Sequence, residues 1–113
     1  MTLFETLLLG HFVGDFLFQN HWMADRKANR ALPRLVHSLV YSSAVYAFSW
    51  MAGGISLVGA GIILLSHFLI DQRSFVRCWM SNITRTFNVS WLSIVYDQIF
   101  HLLILAAIVF FTR

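Results

Sequence analysis

The amino-acid sequence predicts an all-α protein: a four-helix transmembrane bundle with an amphipathic helix at the membrane surface between the third and fourth spans. Of its 113 residues, 58% are hydrophobic and only 12% are charged. The mean hydropathy is +0.71, well above that of an ordinary soluble domain. Because a helix needs roughly 20 mostly apolar residues to cross a bilayer, the chain has room for four crossings. Residues 1–113 therefore form a single integral membrane domain.

Apolar stretches of spanning length occur four times along the chain. In chain order the predicted spans are Leu3–Gln19, Leu35–Ala52, Ile55–Asp71 and Trp91–Thr112. Pro33 suits the opening turn of the second helix, and Gly53 with Gly54 suits a tight turn into the third. The first span carries His11 and Asp15 where a signal peptide would be purely apolar, so we expect it to belong to the mature protein.

The segment from Arg73 to Ser90 is too polar to span a membrane but has apolar residues at helical spacing. Its basic residues fall on the other face, a pattern typical of an amphipathic helix that lies in the membrane interface. A structured loop is the alternative. The apolar face consists of Phe75, Val76, Trp79, Met80, Ile83 and Phe87, and the polar face of Arg73, Arg77, Ser81 and Arg85.

Positive charge is distributed unevenly between the predicted loops. Seven of the eight Lys and Arg residues lie in the two long loops, at positions 26, 27, 30, 34, 73, 77 and 85, and only Arg113 lies elsewhere. The positive-inside rule then places both long loops in the cytoplasm and both termini outside. We therefore expect an integral protein of the inner (cytoplasmic) membrane.

Acidic and histidine residues recur four apart inside the hydrophobic spans. Residues at that spacing share a helix face. The pairs are His11 with Asp15, His67 with Asp71, and Asp97 with His101, and His37 adds a group from the second span. With the orientation above, all four helices present these groups at one depth near the cytoplasmic side.

An ionised Asp inside a membrane costs up to about 3 kcal/mol on insertion scales, so three of them need compensation. A bound divalent cation would supply it. The predicted ligands are His11, Asp15, His37, His67, Asp71, Asp97 and His101. Mixed nitrogen and oxygen ligands suit one or two ions of Zn, Mn or Fe, and Ni is also compatible. Metal-free hydrogen-bonded pairs and a proton relay remain alternatives, as does a purely structural role for His37.

Neighbouring residues extend this site. Gln19 lies four residues after Asp15 and would orient a carboxylate or a water molecule. Gln98 directly follows Asp97 and is expected to point elsewhere. Gly10 and Gly14 form a small-xxx-small pattern that permits close contact between helices.

The combined motifs HxxxDFxxQ, a lone His, HxxxD and DQxxH resemble domain-of-unknown-function family 3307, whose members are small bacterial and phage membrane proteins. The resemblance covers nearly the whole chain. It implies that the family's motif positions are His11, Asp15, Gln19, His37, His67, Asp71, Asp97 and His101. Ser74 stands where related sequences would have a basic residue, with Arg73 and Arg77 on either side of it, so the resemblance does not assign that contact to a residue of this chain. The family is distantly similar to small membrane-bound metal-dependent hydrolases.

The leading functional hypothesis is a metal-dependent hydrolase that acts at the cytoplasmic leaflet. The metal would activate a water molecule, and either Asp15 or Asp97 would accept its proton. Arg73, Arg77 and Arg85 would hold an anionic headgroup of a lipid or phosphorylated substrate, or would only set the topology. A metal-ion or proton transporter and a non-enzymatic membrane partner are the alternatives. A transporter this small would need a homodimer, and no nucleic-acid partner is expected.

Overall fold

The computed structural model of the protein describes residues 1–17, 30–86 and 88–112, apart from the side chains of Arg73, Ser90 and Thr112. These residues form helices and turns, and no strand occurs among them. The helices are α1 (Leu3–Phe12, continued by a π-helical turn at Val13–Leu17), α2 (Ala31–Ser49, continued by a 3₁₀ turn at Trp50–Ala52), α3 (Leu57–Ile70), α4 (Arg73–Asn82) and α5 (Ser90–Thr112). The prediction of an all-α fold is confirmed for this part of the chain.

Local sequence sets the helix ends. The Thr2 hydroxyl accepts a hydrogen bond from the Glu5 backbone N–H at 3.2 Å and caps α1. The Ser56 hydroxyl caps α3 in the same way, accepting from the Gly59 N–H at 3.0 Å. Gly53 and Gly54 have φ of 100° and 84°, which explains why two glycines make the turn between α2 and α3.

Two helices differ in extent from the predicted segments. Helix α2 starts at Ala31, four residues before the predicted membrane span, so Pro33 lies in its opening turn as predicted. Proline is tolerated there because the backbone N–H has no partner within the helix. The amphipathic helix predicted over Arg73–Ser90 ends at Asn82. Arg85 adopts the left-handed region at φ 53°, so an α-helix cannot continue through it.

Helices α1 and α2 approach each other at the two glycines of the first span. A Cβ on Gly10 would lie 2.7 Å from Val45 Cα, and one on Gly14 would lie 2.9 Å from Tyr41 Cα. Real Cβ atoms do not approach a backbone that closely. The predicted role of the small-xxx-small pattern is confirmed, and the contact brings the His11–Asp15 segment onto α2.

The apolar core is built from α1, α2, α3, α5 and the turn that precedes α3. Its buried residues are Leu3, Leu7, Tyr41, Val45, Ile55, Ile63, Leu105 and Ile108. Helix α4 packs on α5 through edge contacts of Phe75 and Trp79 with Phe100, each at 5.1 Å between ring centroids. Val76 and Met80 of its apolar face are buried.

Helix α5 contains the candidate membrane span within the described residues. Trp91–Phe111 is long and apolar enough to cross a bilayer, and only 17% of its most apolar window is buried. Helix α3 is apolar but has only 14 residues. The structure therefore identifies one span by length and composition, and the four-span bundle remains a prediction.

Candidate metal centre

Acidic and histidine side chains from α1, α2, α3 and α5 meet in one buried cluster. The side chains of His11, Asp15, His37, His67, Asp71 and His101 are at most 3% exposed. The π-helical turn that follows α1 carries Asp15, and π-helical turns are frequent at functional sites. Six of the seven predicted ligands therefore lie in one cluster, and their common depth in a membrane remains a prediction.

Asp15 lies at the centre of the first half of the cluster. Its Oδ1 is 3.0 Å from His37 Nε2 and 3.4 Å from His67 Nε2. Its other oxygen, Oδ2, is 3.4 Å from the Gln98 side-chain nitrogen and 3.9 Å from His11 Nε2. One carboxylate thus contacts side chains from three other segments.

Asp71, the C-terminal cap of α3, occupies the second half. Its Oδ2 is 3.4 Å from His37 Nε2 and 3.7 Å from His67 Nδ1, and its Oδ1 is 3.4 Å from His101 Nε2. His101 Nδ1 donates to the Asp97 carbonyl at 2.6 Å, so in the neutral ring Nε2 carries the lone pair. A cation, either a proton or a metal ion, is needed between that lone pair and the carboxylate oxygen.

A directional hydrogen-bond chain runs beside these two carboxylates. The Tyr41 hydroxyl is 2.7 Å from His11 Nδ1, and His11 Nε2 is 2.8 Å from Gln98 Oε1. An amide oxygen only accepts, so His11 Nε2 carries the proton and Nδ1 accepts from Tyr41. The Gln98 amide nitrogen then donates to Asp15 and to Asp97, at 3.4 Å each. Both ring nitrogens of His11 are therefore engaged in this chain.

Two groups within the cluster could hold a metal ion. They are Asp15, His37 and His67, and His67, Asp71 and His101, each with ligand atoms within 4.8 Å of one another. Tetrahedral coordination with bonds of 2.0 to 2.2 Å separates ligand atoms by about 3.3 to 3.6 Å. Within the cluster, carboxylate oxygens lie 3.0 to 3.4 Å from the Nε2 atoms of His37, His67 and His101, close to that range, and the His67 Nδ1–Asp71 spacing of 3.7 Å is slightly longer.

His67 belongs to both groups, but a neutral imidazole offers one lone pair. Ser38 Oγ lies 3.1 Å from His67 Nδ1. If Nδ1 donates to that hydroxyl, Nε2 presents its lone pair toward Asp15 and His37. Metal-binding histidines commonly donate their second nitrogen in this way. The chemistry of the first group therefore fits a divalent cation well.

The other predicted site residues lie outside these two groups. His11 is buried in the cluster, but both of its ring nitrogens take part in the hydrogen-bond chain. Asp97 lies at the rim of the cluster, with its side chain 25% exposed and its Oδ1 3.7 Å from His101 Nδ1. Arg77 and Arg85 are exposed. Gln19 and the side chain of Arg73 lie outside the described residues, so their assigned roles remain predictions.

Sequence reasoning missed three residues of the cluster. Gln98 was expected to point elsewhere, and this was wrong, because it contacts His11, Asp15 and Asp97. Its three-residue spacing from His101 could have placed it on the same helix face. Tyr41, four residues after His37, and Ser38 were missed because neither is an acidic residue or a histidine, the residue types expected to bind metal.

The chain belongs to the family described as protein of unknown function DUF3307, whose match covers residues 3–113. The family resemblance seen in the sequence is thereby confirmed. No curated protein and no solved structure matches the chain.

Proposed function

We propose that this member of the family is a membrane-embedded metal-dependent hydrolase that acts at the cytoplasmic leaflet on a lipid or phosphorylated substrate. The observation that carries the proposal is the burial of Asp15 and Asp71 among His37, His67 and His101. Removing a carboxylate from water costs several kcal/mol even after the protein relaxes. A divalent cation held by the two carboxylates and neutral imidazoles would offset that cost directly.

We assign the first metal position to Asp15, His37 and His67. A second ion at Asp71 and His101 would need further ligands, because the lone pair of His67 is then already committed. Nitrogen and oxygen ligands favour zinc, manganese or iron over calcium. A bound ion of this kind supplies a nucleophilic water molecule at neutral pH and polarises a phosphoryl or acyl oxygen.

Asp97 is the better candidate for the general base, because Asp15 is committed to the metal position. The Asp97 carboxylate is at the partly exposed rim, where it can reach a water molecule or substrate, and Gln98 orients it. A small void beside His67 and His101 measures about 10 Å³, comparable to one water molecule. A substrate would therefore approach from the rim rather than occupy that void.

Exposed apolar surface supports the membrane location. Trp91, Ile94, Leu103 and Phe110 of α5 are each more than half exposed, as are Leu57, Val58 and Leu65 of α3. So many large, exposed apolar side chains would be a liability in water but are suited to lipid. Under the positive-inside rule, the cluster then lies toward the cytoplasmic leaflet. Arg77 and Arg85 would face lipid headgroups there.

Hydrolysis by purified protein in phospholipid vesicles tests the proposal. We expect Asp97→Asn to keep its bound metal but to lower turnover by about 10²- to 10⁴-fold, the usual contribution of a general base. Asp15→Asn should lose both metal and turnover. Glu5→Gln, which alters an exposed carboxylate at the start of α1, is the matched control and should change neither.

Two results would contradict the hydrolase. One is metal-loaded wild-type protein that releases no product from phospholipid or phosphomonoester substrates. The other is a flux of metal ions or protons into sealed liposomes that occurs without hydrolysis and is abolished by Asp15→Asn. The second result would establish a transporter.

A further inference from the structure

Arg34 is a buried cation in the first turn of α2. It is 9% exposed, and its guanidinium carbon lies 4.3 Å above the centre of the Phe68 ring. Its Nε has no hydrogen-bond partner, and no carboxylate forms an ion pair with Arg34 in the part of the chain that the structure describes. Stacking on an aromatic ring stabilises a cation by less than the burial of an unpaired charge costs. Arg34 directly precedes the predicted span that starts at Leu35, where a buried cation is suited to an anionic group near the membrane surface.

An apolar groove between α2 and α3 adjoins this arginine. Its volume is about 500 Å³, within the range of small-molecule sites. Phe68 belongs both to the groove wall and to the Arg34 contact. The other wall residues include Leu32, Leu35, Leu64 and Leu65, and Gly61 lies along the groove.

The groove and the arginine also adjoin the candidate metal centre. Arg34 precedes His37 by three residues on α2, one turn or about 5 Å along the helix axis. Phe68 directly follows His67 on α3. Both residues of the arginine contact are therefore close in sequence to ligands of the proposed metal position.

We propose that the groove and Arg34 together bind one molecule of an anionic phospholipid, with an acyl chain in the groove and the phosphate on the guanidinium. An apolar channel beside a buried cation with no ion-pair partner among the described residues is complementary to a chain attached to an anion. A zwitterionic lipid would place a positive headgroup against the same arginine. Lipid binding at this site does not depend on the proposed function, but the lipid's role as the substrate does rest on it. The inference also assigns the headgroup to Arg34 rather than to Arg77 or Arg85.

Lipid retention by purified protein in detergent, measured by native mass spectrometry, tests this inference. Phosphatidic acid and phosphatidylcholine with identical acyl chains are the two probes. Wild-type protein should retain phosphatidic acid at least tenfold better. Arg34→Gln should remove that preference, whereas Arg34→Lys should keep part of it. Arg30→Gln, which removes an exposed arginine just before α2, is the matched control and should keep all of it.

A second pair of variants tests the groove. A Cβ on Gly61 meets no atom within 4 Å. Gly61→Phe should therefore fill the groove without moving neighbouring residues, and it should lower retention of both lipids at least tenfold. Ser43→Phe fills another surface groove, which includes Leu39, Val40 and Ala44, and should have no effect. Equal helix content by circular dichroism shows that each variant is folded.

The inference is overturned if Arg34→Gln keeps the preference for phosphatidic acid, if Gly61→Phe retains lipid normally, or if inorganic phosphate displaces the lipid at equal concentration. Repeating the binding with Asp97→Asn separates it from hydrolysis. Selective retention without turnover by wild-type protein would refute the hydrolase and leave the lipid site intact. Turnover without selective retention would refute the lipid site and leave the hydrolase intact.

Discussion

Gln98 shows what contact geometry adds to residue spacing. Pairs four residues apart on one helix were predictable, because both members share a face. The chain from Tyr41 through His11 to Gln98 crosses three helices, and no pattern within one helix encodes it. It also revises one ligand assignment, since both ring nitrogens of His11 are engaged by other side chains. We therefore regard His11 as a residue that orients Gln98, and through it Asp15.

Replacing Gln98 tests that role. Gln98→Leu removes the donor to Asp15 Oδ2 and the acceptor for His11 Nε2. Metal affinity should fall by about 10- to 100-fold, as is usual when a partner of a ligand is lost. Competition with a chelator of known affinity measures the change. Asn82→Leu, an exposed amide on α4, should leave affinity unchanged, and an unaltered affinity in Gln98→Leu would contradict the role.

At the scale of the elements, hydrophobic periodicity and turn residues located the helices well. The Gly53–Gly54 turn and the starts of α3 and α5 lie within two residues of their predicted positions. The end of α4 was missed because the apolar spacing continues past it, whereas the left-handed conformation of Arg85 leaves no sequence signal. The π-helical turn at Val13–Leu17, which carries Asp15, likewise leaves no recognisable pattern in the sequence.

Contact between α1 and α2 depends on Gly10, and an alanine tests it. A Cβ there would lie 2.7 Å from Val45 Cα and 3.1 Å from the Ala44 carbonyl oxygen, so the two helices must separate. Gly10→Ala should destabilise the protein by about 1 to 3 kcal/mol, as overpacking does. Gly61→Ala, which meets no neighbour, should stabilise it by about 0.5 to 1 kcal/mol. Denaturant unfolding in detergent micelles measures both, and equal stabilities would contradict the packing.

At the scale of the whole molecule, charge and composition predicted a membrane orientation that helix packing alone does not test. The packing depends on how four largely apolar helices fit together, which hydrophobic periodicity cannot specify. The sequence did predict that the acidic and histidine side chains of α1, α2, α3 and α5 meet, because buried carboxylates and imidazoles require polar partners. The structure gathers them as that requirement demands.

The single thiol, Cys78, reports the orientation. It is exposed on α4, which the positive-inside rule places in the cytoplasm. A membrane-impermeant maleimide should label it in inverted vesicles and not in spheroplasts. Met51→Cys in a Cys78→Ser background, at an exposed position in the turn between α2 and α3, should show the opposite pattern. Labelling of both sites from the same side would contradict the topology.

Elemental analysis of the purified protein tests the metal centre most directly. We expect close to one divalent transition-metal ion per wild-type chain, retention of that ion in Asp97→Asn, and its loss in Asp15→Asn and His67→Asn variants that keep their helix content. A wild-type protein that folds fully, remains metal-free after incubation with zinc, manganese or iron, and has the same stability with and without them would contradict the account.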